Sequence, residues 1–162
     1  MNTFFREGKN DIGWMGSNFK EHFSEMEVVL PKEATFTIKK LERGMTDKEI
    51  LAELKPNECT LGDLAYAMKN DLLDKENYNA NIFYIRDKSN TLWAVDAYWL
   101  SVLRYWSVYA YSVTNPRGWD ASYQVVSRDS LKLGDSDSSE PLTLCISEIT
   151  LNGKRYKLTE IE

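Results

Sequence analysis

The chain has one histidine and two cysteines among its 162 residues. A histidine-built metal site needs several imidazoles, and Cys59 and Cys145 show neither a CxxC nor any zinc spacing. Metal binding of that kind is therefore excluded within one subunit. A Ser–His–Asp or Cys–His pair would have to use His22, and no serine or cysteine lies in a nucleophile-elbow pattern. With Phe19 and Phe23 beside it, His22 reads as a half-buried residue on a helix face. Glycine-rich phosphate cradles of the GxGxxG and GxxxxGK[ST] types are missing. The acidic run at 135–140 lacks EF-hand spacing and its twelfth-place glutamate.

Long apolar runs are missing too. No window approaches the ~18 apolar residues of a membrane span, and the stretch "MNTFFREGKND" lacks the apolar segment of a secretory leader. The expected location is the cytoplasm, of a cell or of an infected host. Two buried thiols suit that reducing compartment. Positive charge is in short supply: 20 Lys and Arg face 25 Asp and Glu, a net charge of −5. That balance disfavours nucleic acid and anionic membrane as partners, yet is too mild for a mimic of the DNA backbone.

What remains is the composition of a folded protein, 43% hydrophobic and 12% aromatic, in a length that suits one compact domain, 1–162. The aromatics are unevenly placed. Phe4, Phe5, Phe19, Phe23 and Phe36 fall in the first 36 residues, and Trp93, Trp99, Trp106 and Trp119 lie close together later. The patch "GDSDSSEP", 134–141, reads as an acidic loop.

Local signals place the elements. Residues 17–26 read as a short helix capped by Ser17, with Phe19, Phe23 and Met26 on one face. Residues 34–41, "ATFTIKKL", alternate as a strand. "TDKE" at 46–49 is a capping box with Met45 and Ile50 as its hydrophobic staple, and Pro56 stops that helix after Leu54. "TLGD" at 60–63 repeats the grammar, with Cys59 and Leu64 at the staple positions and Leu61, Leu64, Ala65, Met68 and Leu72 as an apolar stripe. A helix-turn-helix reader of DNA is a poor fit, because residues 46–70 hold five acids and three lysines. Helices packed on a sheet are expected instead.

From residue 82 the period becomes two. Segments 81–87, 91–99, 105–113 and 122–128 read as successive strands, and a final hairpin turns at Asn152–Gly153. The predicted fold is α+β: a twisted, mainly antiparallel sheet of five to seven strands with two or three short helices on one side.

The densest aromatic stretch is "YWLSVLRYWSVYAY", 98–111. With Trp99 opposite Trp106, alternation sends Trp93, Val95, Ala97 and Trp99 to one face, opposite Ser112, Ala110, Val108 and Trp106. That face is expected to be core. The other carries Asp96 and Tyr98 opposite Tyr109, Ser107 and Tyr105, with Tyr111 alongside. Tyrosine offers large contact area at low entropic cost and is enriched in binding surfaces. The candidate binding residues are thus Asp96, Tyr98, Tyr105, Tyr109 and Tyr111, with Arg104 and Arg117 as nearby cations. Trp119, just past the Asn115–Pro116 turn, is expected to plug a sheet end.

The turn "SVTNPRGW" followed by "QVVSR" resembles a motif of small bacterial and phage-borne proteins with no assigned activity, over residues 82–128. The resemblance implies a phage or mobile-element origin and transfers no functional residue.

The leading functional expectation is a non-enzymatic domain that binds a partner protein, such as a phage inhibitor of a host protein. A second reading is a binder of a nucleotide or other small molecule that stacks on the tyrosines beside Arg104 or Arg117. A third is an enzyme using Asp96 with a neighbouring Tyr or Glu. Homodimerisation through the tyrosine face is a further reading. No cofactor is implied.

Overall fold

The computed structural model of the chain describes residues 4–76, 78–130, 148–151 and 154–157. Two compact units make up the chain, 1–129 and 130–162. The larger holds β1 (Ile12–Met15), α1 (Ser17–Phe23), β2 (Phe36–Lys40), β3 (Met45–Thr46), α2 (Asp47–Glu53), α3 (Leu61–Lys69), β4 (Asn81–Arg86), β5 (Leu92–Leu100), β6 (Tyr105–Ser112), β7 (Gly118–Trp119) and β8 (Gln124–Arg128). Six of these strands form one sheet in the order β1-β6-β5-β4-β8-β2. The β6–β5, β5–β4 and β8–β2 pairs are antiparallel, and β1–β6 and β4–β8 are parallel. The fold is α+β around this main sheet.

The expected hairpin register holds: Trp99 faces Trp106, and Asp96 faces Tyr109. Alternation then builds two cores on the two faces. One gathers Phe83, Ile85, Trp93, Val95, Ala97, Trp106, Val108 and Ala110 under Phe19 and Phe23 of α1 and Leu61, Leu64 and Met68 of α3. The other gathers Ile82, Tyr84, Ala94 and Val125 with Ile50 of α2, Met45 and Trp119. Trp119 is buried, as expected of a plug, and its two-residue strand pairs with β3.

Both capping boxes form, Thr46 with Glu49 and Thr60 with Asp63. Asp63 also pairs with Arg128, tying α3 to β8. Two local expectations shift. Gly16 rather than Ser17 occupies the cap position of α1, without a side-chain cap bond. The Tyr109 ring presses on Gly16 so closely that a Cβ there would lie 2.5 Å from it. Leu72 leaves the apolar stripe and is exposed, because α3 stops at Lys69 and Asp71 takes a positive φ of 57°.

In the second unit, β9 (Glu148–Leu151) and β10 (Lys154–Lys157) pair antiparallel with Leu151 facing Lys154. The expected Asn152–Gly153 turn, the acidic loop and Cys145 lie outside the described residues. Among the described residues no helix is long and apolar enough to cross a membrane.

Candidate functional site

The tyrosine face of the β5–β6 hairpin is a ladder of nearly parallel rings. Tyr98 and Tyr109 stack with centroids 5.9 Å apart and planes 4° from parallel. Tyr109 and Tyr111 stack at 6.1 Å and 19°. The row continues through an edge contact of Tyr111 on Trp119 at 5.5 Å. Alternation puts the tyrosines on one face, and Gly13 of β1 and Gly16 just after it let the Tyr105 and Tyr109 rings approach the neighbouring backbone closely. A Cβ on Gly13 would lie 2.2 Å from the Tyr105 ring. The hydroxyl of Tyr98 donates to Tyr109 and accepts from Ser107. Burial first, then the bond to Tyr109, pushes the Tyr98 phenol up.

Beneath the ladder lies Asp96, only 4% exposed. Burial pushes its carboxyl up to about 8; Arg117 works against that shift, and Asp47 adds to it. Asp96 therefore rests protonated at neutral pH. Its Oδ1 has no hydrogen-bond partner among the described residues.

Asp47, the first residue of α2, is fully buried. Its Oδ1 accepts from the Tyr84 hydroxyl and from the Trp119 indole N–H, each at 2.7 Å. Its Oδ2, like Oδ1 of Asp96, has no partner among the described residues. Burial raises the Asp47 carboxyl as well, against those two bonds and the Arg117 charge. Arg117 lies over two rings, its guanidinium carbon 4.1 Å from the Tyr111 centroid and 4.5 Å from that of Trp119. One surface cation thus serves two buried acids.

Asp96, Tyr98, Tyr109, Tyr111 and Arg117 come together, and Tyr105 flanks them on Gly13. Arg104 does not join them. It sits in the exposed turn after β5, at a positive φ of 60°. Asp96 is four residues back along the strand from Leu100, roughly 13 Å at strand rise.

Asp47, Tyr84 and Trp14 belong to the site and were not legible as such. Asp47 follows a capping threonine, where an acid is already explained by the helix terminus. Tyr84 sits in an apolar strand, where any large residue reads as core. Trp14 reaches the tyrosine face because β1 lies parallel to β6, with Trp14 beside Ser107. It is 48% exposed, and Lys20 lies 5.7 Å from its ring.

The other reactive side chains are held in structural roles. His22 is half-buried, as expected, against Trp93 at 4.3 Å, with Nδ1 3.4 Å from Asp87 Oδ2. Asp87 accepts from the Trp93 indole and from the Ser89 and Thr91 backbones. The Cys59 thiol is buried, and burial together with Asp63 pushes it up to about 12, which makes it a poor nucleophile. Comparison of the chain with protein-family models, with curated proteins and with solved structures gives no match.

Proposed function

We propose that the chain is a non-enzymatic protein-binding domain, of the kind a phage or mobile element uses to block a host protein, and that it binds through the tyrosine face. The observation that carries this reading is Trp14. A tryptophan left about half exposed beside half-buried Tyr98, Tyr105 and Tyr109 has the composition of an interface hot spot. The neighbouring tyrosine rings are held by stacking and by close approach to Gly13 and Gly16, so little side-chain freedom is lost when a partner docks.

The ladder geometry favours a protein over a nucleotide. A base needs a free ring face to stack on, and Tyr109 is stacked between Tyr98 and Tyr111 while Tyr111 also carries Arg117 and the Trp119 edge. Arg117, the cation a phosphate would want, already lies over Tyr111 and Trp119.

The test is a site-specific photocrosslinker placed at residue 14 and, as a control, at residue 29, where Val29 is 66% exposed and its backbone lies against α3 on the opposite face. One discrete partner should be labelled from position 14 and not from position 29, and Trp14→Asp should remove its capture. Equal labelling from both positions, or none from position 14, overturns the reading.

A further inference from the structure

A groove of about 710 Å³ runs between α2 and the loop 113–116, at the end of the tyrosine face beyond Tyr111. Leu51 and Ala52 form one wall, and Val113 and Pro116 the other. The volume is that of a site for a small organic ligand, which typically spans ~300–1,000 Å³ and is mostly apolar with a few placed polar groups. Among the described residues Lys48 is the one charged side chain in the lining, in a chain whose net charge is −5. No ion pair among the described residues engages it. Asn115 accepts the Arg117 backbone N–H through its Oδ1 at 3.0 Å, which leaves the amide NH2 to donate towards the groove.

We propose that this groove binds a small amphipathic monoanion, an apolar chain or ring carrying one carboxylate. Its apolar body lies between Leu51, Ala52, Val113 and Pro116, and its carboxylate pairs with the Lys48 ammonium. Charge complementarity selects the sign of the ligand. A neutral molecule forgoes the ion pair, and a cation meets Lys48 in a lining with no acid. Burial of the apolar body supplies most of the affinity, and Lys48 supplies the selection.

By contrast, the groove between β2 and α2, lined by Lys39, Lys40, Arg43 and Glu53 among others, is crossed by the Arg43–Glu53 ion pair. Its remaining charges are of both signs, Lys39 and Lys40 beside Glu42, so it does not select one sign of ligand.

The experiment is titration calorimetry of the full chain with decanoate, and with decylamine and decanol at the same concentrations. Decanoate should bind, with the amine and the alcohol at least tenfold weaker. Lys48→Gln should weaken decanoate at least tenfold. Ala52→Trp, at an exposed position, should fill the groove and abolish binding without loss of thermal stability. The proposal falls if decanoate gives no heat, if the amine binds as well as the acid, or if Ala52→Trp leaves binding unchanged. It falls equally if the groove takes only a peptide with an apolar C-terminus, because the occupant is then a protein segment. The crosslinking test at Trp14, which lies beside Ser107, reads a place six residues along the chain from Val113, so the two outcomes are distinguishable.

Discussion

Trp119 donates its indole N–H to Asp47 Oδ1 at 2.7 Å, across 72 residues of sequence. The same oxygen accepts the Tyr84 hydroxyl, so one buried acceptor joins α2, β4 and β7. Asp47→Ala leaves both donors buried without an acceptor. Each such group costs ~1–3 kcal/mol, so a loss of about 2–6 kcal/mol is expected in urea unfolding followed by tryptophan fluorescence. Asp47→Asn keeps an amide oxygen as acceptor for both donors, so it should cost clearly less than Asp47→Ala. If Ala and Asn cost the same, the shared acceptor is not what stabilises this junction.

Asp96 makes stability depend on pH. Its folded carboxyl, raised by burial to about 8, binds a proton that the unfolded chain has already released above pH ~4. Stability from this group is therefore complete below pH ~4, falls as pH rises, and levels off above the folded value of about 8. Asp96→Asn removes the dependence. The difference in unfolding free energy between wild type and Asp96→Asn should move in favour of the variant by up to ~1.4 kcal/mol per pH unit between pH 5 and 7. A flat difference across that window would show that Asp96 ionises normally.

Gly62 lies where the backbone of Val29 crosses α3. A Cβ there would fall 1.8 Å from the Val29 carbonyl oxygen. Alanine normally gains ~0.5–1 kcal/mol over glycine inside a helix, but here the obstacle is backbone, not a flexible side chain. Overpacking of this kind costs ~1–3 kcal/mol, so Gly62→Ala should lower the unfolding midpoint. Gly118→Ala is the contrast: its Cβ would lie 3.6 Å from the nearest atom, the Met45 carbonyl oxygen, and should be close to neutral. Equal effects at the two positions would remove the close approach as the cause.

Much of the frame was legible because its signals are local. The capping boxes at Thr46 and Thr60 use residues three apart, and both form. Alternation in 91–113 sorted tryptophan from tyrosine, and the Trp99–Trp106 pairing fixed which residues meet. By contrast, β1 carries no readable strand pattern. Gly13 interrupts its register with β6, and only the parallel pairing with a strand some ninety residues away puts Trp14 on the tyrosine face. The two-residue strands β3 and β7 are too short to alternate, and only their pairing buries Trp119 above Asp47.

By itself, then, the order of residues determined what each position could do locally: where helices begin, which strand face is apolar, and that Asp96 shares a face with Tyr98, Tyr109 and Tyr111. Those outcomes depend on neighbours within a turn or a strand. Tertiary structure decided which groups meet across the chain. It brought Arg117 rather than Arg104 to the buried acids, gave Asp47 its two donors, and left Trp14 in solvent. These depend on burial and on partners distant in sequence, and a carboxyl such as Asp96 takes its charge state from what encloses it.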